Sequence, residues 1–283
     1  METSLVIDRH KLTVLKLNDK TEGVPIVLLH GITHSVQVWS TDQVFHTTGP
    51  CYALSLPAHY PAVAPPEFFQ TPLTGQKMVS PLAGAICQLA GGQRIRLVGH
   101  STGGFSALAL AALYPELISE AICLAGFAQG RWIGLYKFYQ DFARSKVGFL
   151  LPILSPPKLY SRWLLKFAFL PGVANRRSLK TYPHFEQLID NMLPYVKKLD
   201  MQAMMYFFRQ FPEVDITPLL SKIEAPTLVV TGDRDKIVSS TQAAHIARHI
   251  PNAQLAVIKN AGHMMYIDQP AEYDRVLQAY LKR

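Results

Sequence analysis

Short apolar runs, each too brief for a helix, recur along this chain with helical patterns between several of them. Ile26–Leu29, Tyr52–Leu56, Ile95–Val98, Ala121–Leu124, Leu228–Val230 and Leu255–Ile258 read as strands buried on both faces. The intervening helical patterns fall at Val79–Leu89, Gly104–Leu113, Ser240–His249 and Ala271–Leu281. A parallel strand can only be reached by crossing the sheet, so this alternation predicts an α/β fold with helices on both faces of a mostly parallel sheet. Two alternating runs, Leu5–Arg9 and Thr13–Leu17, predict an opening hairpin and bring the sheet to eight strands.

The rhythm stops between Phe127 and Asp215. That stretch is helical in pattern, is punctuated by seven prolines from Pro152 to Pro212, and ends where strand signals resume at Ala225-Pro226-Thr227. The predicted division is a core domain of 1–126 and 216–283 with a helical cap inserted at 127–215. Ligands in open sheets bind at the carboxyl ends of the strands, where such a cap would sit. With 49% hydrophobic and 17% charged residues, the chain can bury a sizeable core, which argues against disorder. Cys51, Cys87 and Cys123 form no CxxC or Cys/His cluster and lie in apolar segments, so buried free thiols in a reducing compartment are expected. Residues 1–20 lack the apolar core of a signal peptide, and the longest apolar run, Val147–Leu154, is short and contains Pro152. A cytoplasmic location without a spanning helix is therefore expected.

Chemistry enters at Gly99-His100-Ser101-Thr102-Gly103, directly after a strand pattern and directly before a helix pattern. A tight strand-to-helix turn needs little bulk at Gly99 and Gly103, and it lifts the Ser101 hydroxyl above the sheet. The helix start aims N–H groups and a partial positive charge at the same place. A serine hydroxyl is a poor nucleophile at neutral pH and needs a base. His263 follows Gly262 in the loop after the last strand pattern, which is where such a base belongs. An acid is expected between serine and histidine, and the loop after Leu228–Val230 offers two, Asp233 and Asp235.

Together, GHSTG at 99–103, TGDRDKIV at 231–238 and AGHMM at 261–265 resemble the α/β-hydrolase superfamily. The resemblance covers roughly 20–126 and 215–283 and leaves the cap unmatched. It implies that the acid is Asp235, the fourth residue of a G-x-x-D turn, leaving Asp233 as a turn carboxylate. His30-Gly31-Ile32 resembles the family's oxyanion loop. That implies an oxyanion hole from the backbone N–H groups of Ile32 and Thr102, with His30 and Gly31 supporting the loop and His100 a spacer. One departure is Ser55-Leu-Pro-Ala-His-Tyr60, where many relatives carry Asp-x-x-Gly-x-Gly. The implied activity is serine hydrolysis of a carboxylic ester through an acyl-enzyme on Ser101. It needs no metal or organic cofactor, and no zinc-spaced His/Asp/Glu set occurs. Thioester hydrolysis, carbon–carbon cleavage of a diketone and a ligand receptor on the same fold are the alternatives.

Charge separates these possibilities poorly but points to the cap. From Phe127 to Lys180 there are ten Lys/Arg against one acid, Asp141, in a chain whose net charge is +8. Arg131, Lys137, Arg144, Arg162 and Lys166, with Trp132 and Trp163, are therefore expected to touch an anionic membrane or an anionic substrate. A lipid or other lipophilic ester is the expected small-molecule partner; nucleic acid is not expected, since no recognised module accompanies the charge.

Overall fold

The structure, a computed structural model, describes residues 2–282 apart from Thr48 and Ser155, with the backbone alone at Thr47, Leu151 and Leu154. Met1, Thr48 and Arg283 of the expected core, Ser155 of the expected cap, and part of the Val147–Leu154 run thus lie outside the described residues or side chains.

Eight strands form one sheet: β1 (Glu2–Ile7), β2 (His10–Lys16), β3 (Ile26–Leu29), β4 (Cys51–Leu54), β5 (Ile95–His100), β6 (Ile118–Leu124), β7 (Thr227–Gly232) and β8 (Ala253–Ile258). Their order is β1-β2-β4-β3-β5-β6-β7-β8. β2 runs antiparallel to both its neighbours, and every pairing from β4 to β8 is parallel. The opening hairpin turns earlier than the apolar pattern predicts. Ile7 pairs with His10, and Asp8 and Arg9 both take positive φ, as a two-residue hairpin loop requires. From β3 the chain steps outward to β4 and then back across to β5, so the strand order reverses beside β3. Loops leaving β3 and β5 therefore diverge over a crevice at that point.

The longer helices are α1 (Gly75–Ala90), α2 (Thr102–Leu113), α3 (Gly134–Arg144), α4 (Arg162–Ala168), α5 (Phe185–Val196), α6 (Met201–Gln210), α7 (Ser240–His249) and α8 (Pro270–Leu281). Alternate residues of each central strand face opposite layers. Val27, Leu29, Leu97 and Cys123 meet α1, α2 and α7, whereas Ile26, Leu28, Val98 and Ile122 meet α5 and α8. Helix α2 is buried almost all round, and fully burying Phe105, Leu108 or Leu110 contributes roughly 1.5–3 kcal/mol each. That anchors the helix whose first turn carries the candidate site.

Between β6 and β7 the chain departs and returns side by side. Gln129 bridges Asp215, the Gly130 N–H donates to the Val214 carbonyl at 2.9 Å, and the Ile216 N–H donates to that of Ala128 at 3.0 Å. The excursion carries α3 to α6. These helices extend the two core layers: α6 joins the first through Phe207, and α5 joins the second through Leu188 and Met192. Among the described residues no helix is long and apolar enough to cross a membrane. Cys51 and Cys123 are buried, but Cys87 is exposed on the solvent side of α1, correcting the expectation of three buried thiols. Its neighbours Ala85 and Ile86 turn inward instead.

One buried carboxyl couples this packing to pH. Asp42 lies beneath α8, accepts from the Tyr273 hydroxyl at 2.8 Å, and is pushed by burial from 3.8 up to about 7. Between those values the native state holds a proton that the unfolded chain has lost. The Asp42 contribution is thus most favourable below about pH 4 and declines as pH rises to about 7. Urea unfolding of wild type and Asp42→Asn from pH 4 to 8 should show the variant gaining relative stability with rising pH. Parallel profiles would refute this assignment.

Candidate active site

Ser101 sits at the junction of β5 and α2 with φ 56° and ψ −115°, a conformation that L-residues rarely adopt. Close backbone packing enforces it. A Cβ on Gly99 would lie 2.0 Å from the Gly103 carbonyl oxygen, and one on Gly103 would lie 2.2 Å from that of Leu29. The turn thereby presses against the end of β3, and Gly31 lies under the serine: a Cβ there would stand 3.2 Å from Ser101 Cβ. Thr102 begins α2, so its N–H has no intrahelical acceptor. Among the described residues neither Thr102 nor Ile32 donates its N–H to another protein group.

His30 is fully buried and fixes the loop that carries Ile32. Its Nδ1–H donates to the Gly31 carbonyl at 2.8 Å, and its Nε2 accepts from the Leu56 N–H at 3.1 Å. This second bond ties the loop after β3 to the 55–60 segment. There His59 takes up the interior, packing 5.2 Å from His30 and 5.1 Å from Phe207 between ring centroids.

His263 lies in the loop after β8, and its Nδ1 is 2.8 Å from Asp235 Oδ2. The Asp235 side chain is fully buried, and its Oδ1 accepts from the N–H groups of Ile237 and Val238 at 2.8 and 3.0 Å. Asp233 is exposed and does not reach the histidine. Capping of local N–H groups, the ordinary task of a turn carboxylate such as Asp233, falls to Asp235, which does both tasks with its two oxygens.

Four further hydrogen bonds position the histidine loop and leave no trace in the sequence pattern. His100 is more than a spacer: its Nε2–H donates to the His263 carbonyl at 3.0 Å, with the rings 4.8 Å apart. Asp268 accepts from the Gly262 N–H at 2.8 Å and from the Ala174 N–H at 2.7 Å, while the Met264 N–H donates to the Gly172 carbonyl at 2.8 Å. The histidine loop is thus stitched to the inserted region. These partners lie 163 and 94 residues from each other in sequence, beyond any local signal.

Burial and histidine neighbours hold the surroundings neutral. Desolvation lowers His34 and His59 to about 4 and pushes His30 and His100 well below the ordinary histidine range. Above this floor opens a cavity of about 270 Å³, bounded below by Thr33 and His34 and above by residues of α3, α4, α5 and α6. Its wall is mainly aromatic and aliphatic, including Tyr136, Phe169, Met192, Val196 and Phe208, and contains no Lys, Arg, Asp or Glu.

The expected basic patch is largely compensated. Arg162 pairs with Glu186 and Asp190, Lys166 with Glu186, Arg144 with Glu213, and Lys137 with Asp141. Three of those acids lie beyond Lys180, outside the stretch whose charge looked uniformly basic. Arg131 is exposed and has no ion pair among the described residues. Trp132 corrects the expectation of surface contact: it is 3% exposed, packed among Phe127, Phe208 and Phe211. Trp163, by contrast, is 66% exposed. Among the described residues no group of His, Cys, Asp and Glu could hold a metal ion.

Residues 26–276 match the model of the Alpha/beta hydrolase family. A pyrrolizixenacetamide deacetylase of Xenorhabdus hominickii is 27% identical over 65% of this chain and 64% of its own length. A 2-hydroxy-6-oxononadienedioate/2-hydroxy-6-oxononatrienedioate hydrolase of Burkholderia vietnamiensis is 26% identical over 71% of this chain and 67% of its own length. The crystal structure of the enol-lactonase from Burkholderia xenovorans LB400 superposes with a TM-score of 0.77 at 17% identity, covering 99% of this chain and all of the other.

The contact geometry of the turn makes it intolerant of a single methyl group. Gly103→Ala should cost about 3 kcal/mol or more, because the obstructing atom is a strand carbonyl and not a movable side chain. A urea midpoint within error of wild type would contradict this.

Proposed function

Because the chain belongs to the alpha/beta hydrolase family, we propose that it cleaves a lipophilic carboxylic ester through an acyl-enzyme on Ser101. The 2.8 Å contact between Asp235 and His263 carries the reading. With Nδ1–H donated to the carboxylate, His263 presents an unprotonated Nε2 that can serve as base. It takes the Ser101 proton as Oγ attacks the ester carbonyl. The unengaged N–H groups of Ile32 and Thr102 receive the oxyanion, where one such donor is worth about 2.7–4 kcal/mol. Collapse expels the alcohol with the proton from His263. Water, activated by the same base, then releases the acid and restores the serine.

The cavity favours an uncharged acyl group. Its lining offers aromatic and aliphatic surface but no cation to pair with a carboxylate. A dienedioate, the substrate in the name of one relative, carries two carboxylates and finds no partner on that wall. In this reading 127–215 is a cap that supplies the acyl pocket, while 1–126 and 216–283 supply the reacting groups.

Hydrolysis of p-nitrophenyl esters from acetate to palmitate tests the proposal. Activity should peak at medium or long chains, fall at least about a thousandfold in Ser101→Ala, and fall on the order of 10⁴-fold in Asp235→Asn. Val196→Phe, which fills the pocket wall, should shift the optimum toward shorter chains without abolishing turnover. Absence of Ser101-dependent turnover of any ester would overturn the reading in favour of carbon–carbon hydrolysis or ligand reception.

A further inference from the structure

The cavity under α3 and α4 opens through a rim that is itself apolar and exposed. Leu135, Leu164 and Phe167 line the cavity and are also 44%, 38% and 51% exposed. Directly beside them stand Phe138, one turn from Leu135 on α3, Trp163, whose ring lies 4.5 Å from that of Phe167, and Leu159, between the cavity-lining Pro157 and Tyr160. These three are 57%, 66% and 74% exposed. Most of the exposed large hydrophobic side chains of the described residues fall between Ile133 and Phe167. Scattered exposed apolar residues are ordinary on a protein surface, but a contiguous set around a pocket mouth marks an interaction site.

We propose that this rim docks onto an anionic lipid surface and admits the acyl chain directly from the lipid phase into the cavity. The inference rests on the ester-hydrolase reading for the purpose of the cavity, but not for the docking itself. Two observations favour a lipid surface. The first is continuity: Trp163 lies beside Phe167, and Phe167 and Leu164 are at once exposed and part of the pocket wall, so exposed apolar surface runs into the cavity. The second is charge. Arg131, Lys146 and Lys158, in the same inserted region, are exposed and have no ion pair among the described residues, whereas Arg162 and Lys166 are neutralised by Glu186 and Asp190. The charge left unpaired among these is positive, and Lys158 adjoins the rim residue Leu159, as an interfacial segment on anionic lipid requires. A second copy of the chain fits less well, since a two-fold contact through the rim would bring each basic set toward its own copy.

The test compares sedimentation with phosphatidylglycerol/phosphatidylcholine vesicles and with pure phosphatidylcholine vesicles. The proteins are wild type, Ser101→Ala, a rim variant (Phe138→Ser, Leu159→Ser, Trp163→Ser) and a charge variant (Arg131→Gln, Lys146→Gln, Lys158→Gln). Wild type and Ser101→Ala should bind the anionic vesicles equally and more tightly than the neutral ones. The charge variant should lose roughly fivefold per basic residue that lies close to the surface. The rim variant should lose at least tenfold on both vesicle types while hydrolysing dispersed p-nitrophenyl butyrate within twofold of wild type, since its three positions stand outside the cavity lining. Binding no stronger to anionic than to neutral vesicles, or unchanged in the rim variant, would overturn the proposal. So would a wild-type dimer on sedimentation velocity that the rim variant dissociates, which would assign the surface to a second copy. Because Ser101→Ala is read by binding alone, failure of the docking proposal and failure of the ester-hydrolase reading are separately visible.

Discussion

A single backbone conformation organises this molecule. The φ and ψ of Ser101 cost on the order of 1–3 kcal/mol relative to relaxed backbone. They persist because the alternatives are blocked on several sides at once. Gly99 meets the Gly103 carbonyl, Gly103 meets the end of β3, and α2 is buried around nearly its whole circumference. Relaxing the serine would require withdrawing α2 from the sheet, which exposes far more apolar surface than the strain could recover. The central sheet and the site are thus one packing problem. β3, β5 and α2 must approach this closely for the hydroxyl to stand clear of the strands.

Around that point the polar groups are arranged to keep charge scarce. Four histidines are held neutral by desolvation first; His59 comes second for His30, and His263 for His34 and His100. The carboxylate that faces His263 is fully buried and receives two backbone N–H groups besides the imidazole. The His263 imidazole thus faces one carboxylate, with the His100 ring 4.8 Å away. Charges at the rim follow the opposite economy. There the ion pairs are exposed, run between helices α4 and α5, and contribute little stability.

Much of this was legible in the amino-acid order, and the parts that were not share a cause. Strands such as Ile26–Leu29 and the helix Ser240–His249 announce themselves through local periodicity and appear where the pattern places them. The G-x-S-x-G turn is equally local, and its two outer glycines are explained by contacts within a few ångströms. Choosing Asp235 over Asp233 needed the family resemblance, because both fall in the same turn and only the fold decides which one turns inward. The bond from His100 to the His263 carbonyl, and the clasp of Asp268 on both Gly262 and Ala174, join segments that no window of sequence sees together. Misjudging the inserted region has the same origin. Its basic residues find Glu186, Asp190 and Glu213 only once the helices pack, and Trp132 turns inward because Phe208 and Phe211 return from far along the chain.

The three cysteines differ in a way that makes the molecule unusually simple to report on. Cys51 and Cys123 lie in the sheet layers, where burial pushes both thiols up to about 12. Neither offers a thiolate to a reagent at neutral pH, and neither is open to one. Cys87 faces solvent in the last turn of α1, a helix packed against α2 and β1 that meets the inserted helices at its opposite end, where Lys77 donates to the Tyr206 hydroxyl at 2.8 Å. The native chain therefore carries one natural attachment point for a fluorophore or spin label, fixed to the sheet. From there the displacement of the inserted region relative to the sheet becomes a distance that can be followed in solution, with a single added label as its other end.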